Sequence, residues 1–312
     1  MARLTVLLTA LVAATLAFPA QSQTQVKLEL KFPEKEARRV EVTQKFHQLM
    51  TINGMELATN VESTVVTSAA IDQRQPDGTL PIQNKIESVF TLMSLPGGIE
   101  LTFDSNNPDV ENPNPQLQPI LEMMRTIAGS SYTTVLDKNN RAVSVKRDDE
   151  TLEGASDAAR AMLKGVLDPE YLKQVSNQEI DRITKDPVDQ GDTWLRTEVS
   201  RLGGGQKFTF EMLYEYAGTV EKAGKTLDKI TITTTSVNYE MDADAASSAK
   251  VTQSNLRVED SGGTLFFDRE HGVIVEGRSL MHIKGDMTLS AGGQEYPVEL
   301  DLTMENTSLL KE

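Results

Sequence analysis

His47, His271 and His282 are the only histidines of the chain, and their spacing supports neither acid-base catalysis nor a metal site. No two stand three or four positions apart on a helix, and no HExxH pattern occurs. Cysteine is absent, which excludes disulfides, thiol nucleophiles, Cys-ligated zinc and iron-sulfur centres, and the lipidated Cys of a bacterial lipoprotein. G-x-S-x-G, S-x-x-K and the Walker pattern are missing, and Gly203-Gly204-Gly205 lacks the Lys and Ser/Thr that a phosphate loop needs. Asp104, Asn106, Asp109 and Glu111, or Asp242 with Asp244, offer oxygens to calcium, but Pro108 stands where an EF-hand needs a ligand and no Gly follows. A carboxylate-pair hydrolase leaves no spacing in sequence, and 46 acidic residues offer no basis for choosing two. No catalytic residue, metal ligand or cofactor is assigned.

The residues whose spacing does stand out are apolar. Phe208, Phe210, Met212, Tyr214 and Tyr216 alternate without a break, with Thr209, Glu211, Leu213 and Glu215 opposite. Such a stripe lines either a core or a cavity. As a ligand site it would use these five residues with Met124 and Met162, from two amphipathic helices, as a lid. As a core it would leave no space. Trp194, just before the stripe, reads as core.

The ends and the charge bound where such a site operates. Residues 1–22 combine Arg3, an apolar run from Leu4 to Phe18, and Ala20 and Ser22 at a cleavage spacing, which is the pattern of an export signal. The run stops at Pro19, short of the roughly 20 residues of a membrane span, so no transmembrane segment is expected in the mature chain. A formal charge of −15 disfavours nucleic acid and anionic lipid surfaces as partners. The protein is expected to be exported, periplasmic or secreted, with an apolar small molecule, a lipid or an envelope protein as partner.

Four segments must position these residues: the signal (1–22), a β-rich half with one helix (23–148), a helical connector (149–187) and a second β-rich half (188–312). The first half opens on a hairpin at Asn53-Gly54, whose two-residue turn aligns residues whose numbers sum to 107. That register pairs Phe46 with Val61 on one face and Lys45 with Glu62 on the other, so hydrophobicity and charge agree. Leu117, Ile120, Leu121, Met124 and Ile127 form a helical stripe that Gly129 ends. In the connector, Ala159, Met162, Leu163, Val166 and Leu167 share a face, and Asp168-Pro169 starts a second helix, with a restart expected at the capping-box spacing Ser176 to Glu179. In the second half, Ile230 and Ile232 are even but Val237 and Tyr239 odd, which predicts a bulge at 234–236. Short hairpins, VLDKNNRAVSV and FFDREHGVIV, occur once in each half, as an internal duplication would leave them.

The export signal, Gly191-Asp192-Thr193-Trp194, Tyr216-Ala217-Gly218-Thr219-Val220 and Phe267-Asp268 ending at Gly272 together resemble an uncharacterised family of exported bacterial proteins of unknown function. That resemblance implies a β-rich fold and no known activity. The expected architecture, an α+β fold with one large curved antiparallel sheet or two related sheets and helices 115–128 and 150–185 on its concave apolar face, is similar to LolA-type and LppX-type lipid or lipoprotein carriers. That second likeness is one of fold alone. The leading expectation is an exported, non-catalytic binding protein for a lipid or other apolar molecule, and the rival is an envelope scaffold with no cavity.

Overall fold

The computed structural model describes residues 25–107, 114–147, 156–201, 205–241 and 249–311. The signal segment, Asp109, Glu111, Gly203, Gly204, Asp242 and Asp244 lie outside them, as does the side chain of Met162.

The strands are β1 (Ala37–Ile52), β2 (Met55–Ile71), β3 (Leu80–Leu95), β4 (Ile99–Asp104), β5 (Ser131–Leu136), β6 (Ala142–Arg147), β7 (Thr193–Arg201), β8 (Gln206–Lys222), β9 (Lys225–Met241), β10 (Ala249–Asp268), β11 (Val273–Ala291) and β12 (Gln294–Lys311). All twelve belong to one antiparallel sheet, in the order β6-β5-β3-β2-β1-β12-β11-β10-β9-β8-β7, with β4 paired to β3. The helices are α1 (Gln118–Ile127), preceded by a short 3-10 turn, α2 (Asp157–Val166) and α3 (Pro169–Asp181).

This corrects the expected fold class. The protein is mostly β, not an α+β fold with helices laid on one face of its sheet. α1 does pack on β3 and β4, through Leu117, Leu121 and Met124 against Val89, Leu101 and Phe103. α3 instead lies at the sheet's edges. The expected restart at Ser176 does not occur, because α3 runs unbroken from Pro169 to Asp181 and the Ser176 hydroxyl donates back to the Leu172 carbonyl. The Asp168 cap and Pro169 start are as expected, with the Tyr171 N–H donating to Asp168 Oδ1 at 2.9 Å.

The hairpin arithmetic holds from Ile52↔Met55 to Ala37↔Ala70. Asn53 and Gly54 sit at φ 51° and 79°, the left-handed pair that a type I′ turn requires. The bulge also falls where the parity change put it: Glu211 faces Ser236 and Met212 faces Thr234, so Thr235 is the extra residue.

The strand order is that of a meander that nearly closes. From β1 the chain steps outward to β6, crosses through α2 and α3 to β7, and steps back until β12 pairs with β1. One seam is left, between β6 and β7. α3 bridges it with two adjacent side-chain amides. Asn177 accepts from the Ala142 N–H of β6 and donates to the Ala142 carbonyl, both at 3.0 Å. Gln178 does the same for Val199 of β7, at 2.9 and 3.1 Å. Each amide copies the donor and acceptor pair of a neighbouring strand, and turning either over would set donor against donor. Arg141, just before β6, pairs with Asp181, and Arg196 of β7 donates to the Asp181 carbonyl, so one residue at the end of α3 holds both edges.

Changing Gln178 to Ala removes two bonds to an edge strand and should cost about 1–3 kcal/mol. Denaturant unfolding reads that loss, and hydrogen exchange at Val199 should quicken more than at the β1–β2 pair. Unchanged exchange at Val199 would show that the clasp does not hold the seam.

Candidate functional site

The five stripe residues lie together and are fully buried: Tyr214 is 0% exposed and Met212, the most open, 8%. Their partners explain why. The extended lead before β1 crosses the inner face, pairing Val26 with Val188 through two 2.8 Å backbone bonds and burying Leu28 among the stripe, Ile183 and Trp194. Val298, Leu300 and Leu302 of β12 join the same cluster. The stripe is thus packed with the protein's own side chains. Met124 lies in the separate α1 cluster and is not brought to it. For Met162 only the backbone, in α2, is described.

Two ion clusters anchor this core. Arg182, just past α3, forks both oxygens of Glu198 at 3.1 Å, and the Tyr214 hydroxyl donates to the same carboxylate. Burial alone would raise the Glu198 pKa, but the guanidinium and the two hydrogen-bond donors outweigh it and hold the carboxyl below its usual range. At the other end, Arg269 and the Tyr216 hydroxyl hold buried Asp228, and burial with that bond pushes the Tyr216 phenol up to about 12. The histidines are all paired with neighbours: His47 with Asn60, His271 with Asp268 at 2.9 Å, and His282 with Asp301 at 2.8 Å. These groups fix strands and turns.

The open ground lies elsewhere, at the centre of the sheet. β1 has hydrogen-bonded neighbours on both sides, yet none of its residues is buried. The inward residues of β2 from Met55 to Val65 are likewise unburied. Cores have formed to either side, one over β7 to β12 and others over β3 to β6, and a trough remains between them. Across it runs a register row of five apolar residues, Met281, Met304, Phe46, Val61 and Met93, each half-buried; Met281, Met304 and Phe46 touch the core on one side and Met93 the α1 core on the other.

The trough face carries no charge. The inward positions are the even residues of β1 from Val40 to Ile52, the odd ones of β2 from Met55 to Val65, the even ones of β12 from Val298 to Leu310 and the odd ones of β11 from Gly277 to Leu289. None is Asp, Glu, Lys, Arg or His, although 25% of the chain is Asp, Glu, Lys or Arg. The outward positions hold them instead, as in the Lys45–Glu62 and Lys311–Glu41 pairs. Two surface hollows of about 380 and 360 Å³ are lined mainly by such outward residues, among them Thr51, Asp286 and Glu299 in one and Lys45, His47 and Glu62 in the other. Phe46 and Val61 of the apolar row also border the second hollow, and Met287 and Val298 the first.

Sequence reasoning missed this site because every strand of it alternates in the ordinary way. The available signal was the uncharged inner face of the Asn53-Gly54 hairpin, which the register had already set out.

No protein-family model and no curated protein matches the chain. Among solved structures it is similar to lipovitellin, described for its lipid-protein interactions, at 10% identity and a TM-score of 0.45, covering 90% of this chain and 26% of that one. The chain therefore spans about a quarter of the lipovitellin chain. It is also similar to the Pseudomonas aeruginosa protein OccK5, at 7% identity, TM-score 0.24, and 89% and 99% coverage. A third match is a DUF1329 family protein from Desulfovibrio piger, at 7% identity, TM-score 0.13, and 84% and 83% coverage. These scores are too low to establish a shared fold. Among the described residues no helix is long and apolar enough to cross a membrane.

A carboxyl with a lower pKa in the folded chain contributes stability that is present above its unfolded value and lost as pH falls through the folded one. The Glu198 pair should therefore hold the core at neutral pH and fail only in acid, below the ordinary range of a glutamate carboxyl. Glu198→Gln should lower stability at pH 7 by about 2 kcal/mol and flatten the acid limb of a melting-temperature profile. An acid limb identical in both proteins would remove Glu198 from the account.

Proposed function

We propose that this is an exported, non-catalytic binding protein that carries a lipid or similar elongated apolar molecule in the trough over β1 and β2. The observation that carries the reading is the exposure of β1: the central strand of a twelve-strand sheet is normally its best covered, and here it has no buried residue. A row of five half-buried apolar side chains on an uncharged face favours an apolar occupant over water. Three of the five are Met, whose flexible thioether adapts to irregular aliphatic shapes. β1 has 16 residues, roughly 54 Å at about 3.4 Å each, long enough for an extended acyl chain. Export rests on the leader pattern of residues 1–22.

The test is native mass spectrometry of protein purified from its own source without detergent, with organic extraction of what it carries. We expect a bound lipid near one-to-one, lost in Phe46→Glu and Met304→Glu. Both positions are only partly buried, and circular dichroism matching the parent separates loss of lipid from loss of fold. A protein that arrives empty and takes up no added lipid contradicts the reading, and the envelope-scaffold alternative then stands.

A further inference from the structure

The trough is not uniformly apolar. Next to the row of Met and Phe lies a second register row, Ser279, Asn306, Gln44, Ser63 and Thr91, which crosses the same five strands from β11 to β3. At about 4.8 Å per strand it is a belt roughly 19 Å long. Beyond it the face turns apolar on β1 to β3, with Val42 beside Val65 and Val65 beside Val89, while the same row holds Ser308 and Gly277 on β12 and β11. On β1 to β3 the belt therefore sits between apolar residues on both sides.

Its chemistry is narrow. Every member is a neutral amide or hydroxyl, and no cation stands on the trough face of β11, β12, β1 or β2. At the β3 end the belt is closed on itself, because the Ser63 and Thr91 hydroxyls meet at 3.0 Å and Ser63 also reaches the Phe90 carbonyl. In the middle it is open: among the described residues the side chains of Gln44, Asn306 and Ser279 have no hydrogen-bond partner, while Gln44 and Asn306 are direct cross-strand neighbours. Two adjacent carboxamides facing a trough present both donors and acceptors to whatever lies over them.

We propose that this belt recognises the uncharged ester linkage of an acyl lipid, so that the trough selects neutral acylglycerols over free fatty acids and phospholipids. This rests on the carrier reading above. An ester carbonyl accepts from an amide N–H and a free glycerol hydroxyl donates to an amide oxygen, so Gln44 and Asn306 satisfy both groups. A carboxylate or phosphate would have to leave water for a face with no cation to meet it, and burying an unpaired charge is far more costly than burying an ester. An ester group placed on the belt leaves its acyl chains to run along the strands over Phe46, Val61 and Met304 on one side and Val42 and Val65 on the other.

The experiment measures binding of dioleoylglycerol, oleate, dioleoylphosphatidylglycerol and the hydrocarbon squalene to the delipidated full chain, and to Gln44→Leu and Asn306→Leu. The parent should bind dioleoylglycerol roughly tenfold or more tighter than oleate or the phospholipid. Each variant should lose roughly tenfold for dioleoylglycerol, the order expected for a lost hydrogen bond with a strayed polar partner, and keep or gain affinity for squalene. Failure of the parent to bind any of the four sinks the carrier reading and this inference with it. Binding of all four with no preference, a preference for the charged lipids, or dioleoylglycerol affinity unchanged in both variants overturns the belt and leaves the carrier standing.

Discussion

Two side-chain amides close this protein. A meander of long strands has two edges, each a row of unpaired N–H and C=O groups that invites pairing with another chain. Asn177 and Gln178, one residue apart in α3, offer each edge a single donor and acceptor pair in place of a neighbouring strand. The ion pairs at Asp181 and Arg182 then fix the end of the helix that carries them. The chain that links the two halves thereby becomes the element that joins the two edges.

Closure determines where the cores lie. With the edges tied to α3, Ile180 packs on the β3, β5 and β6 side and Ile183 on the β7 to β12 side, so one helix end feeds two clusters. The lead at Leu28 fills the second cluster further, and α1 covers β3 and β4. β1 is covered only in part: Phe46, Met50 and Ile52 pack against the second cluster, yet no residue of the strand is buried. The aromatic stripe and the trough therefore divide the roles that the stripe alone was expected to combine: the stripe is packing, and the proposed ligand lies over the partly covered β1 and β2.

What could be read from residues and what could not follow a physical line. Registers and bulges are local, set by a two-residue turn or by a change of parity, and Asn53-Gly54 and Thr235 show both in the sequence. Caps are local too, as at Asp168. Closure is not local. Asn177 and Gln178 are two polar residues in a helix, and only the path of the six strands on either side brings Ala142 and Val199 within their reach. The fold-class error came from the same source, since an amphipathic helix must cover something apolar, but its sequence does not say whether that is a sheet's face or its edge. The trough was hidden for a different reason: alternation marks which face turns inward and not whether anything covers it.

Methionine oxidation offers the most direct measurement of the central claim, because the chain contains its own controls. Met281, Met304 and Met93 are only partly buried on the trough, whereas Met212 and Met124 are buried in the two flanking cores. In the delipidated protein, brief peroxide treatment followed by peptide mass spectrometry should convert the first three to sulfoxide and spare the other two. Loading with lipid should then protect the three and change nothing at Met212 and Met124. Equal reactivity at all five, or trough methionines that oxidise equally with and without lipid, would contradict an open face built to hold one.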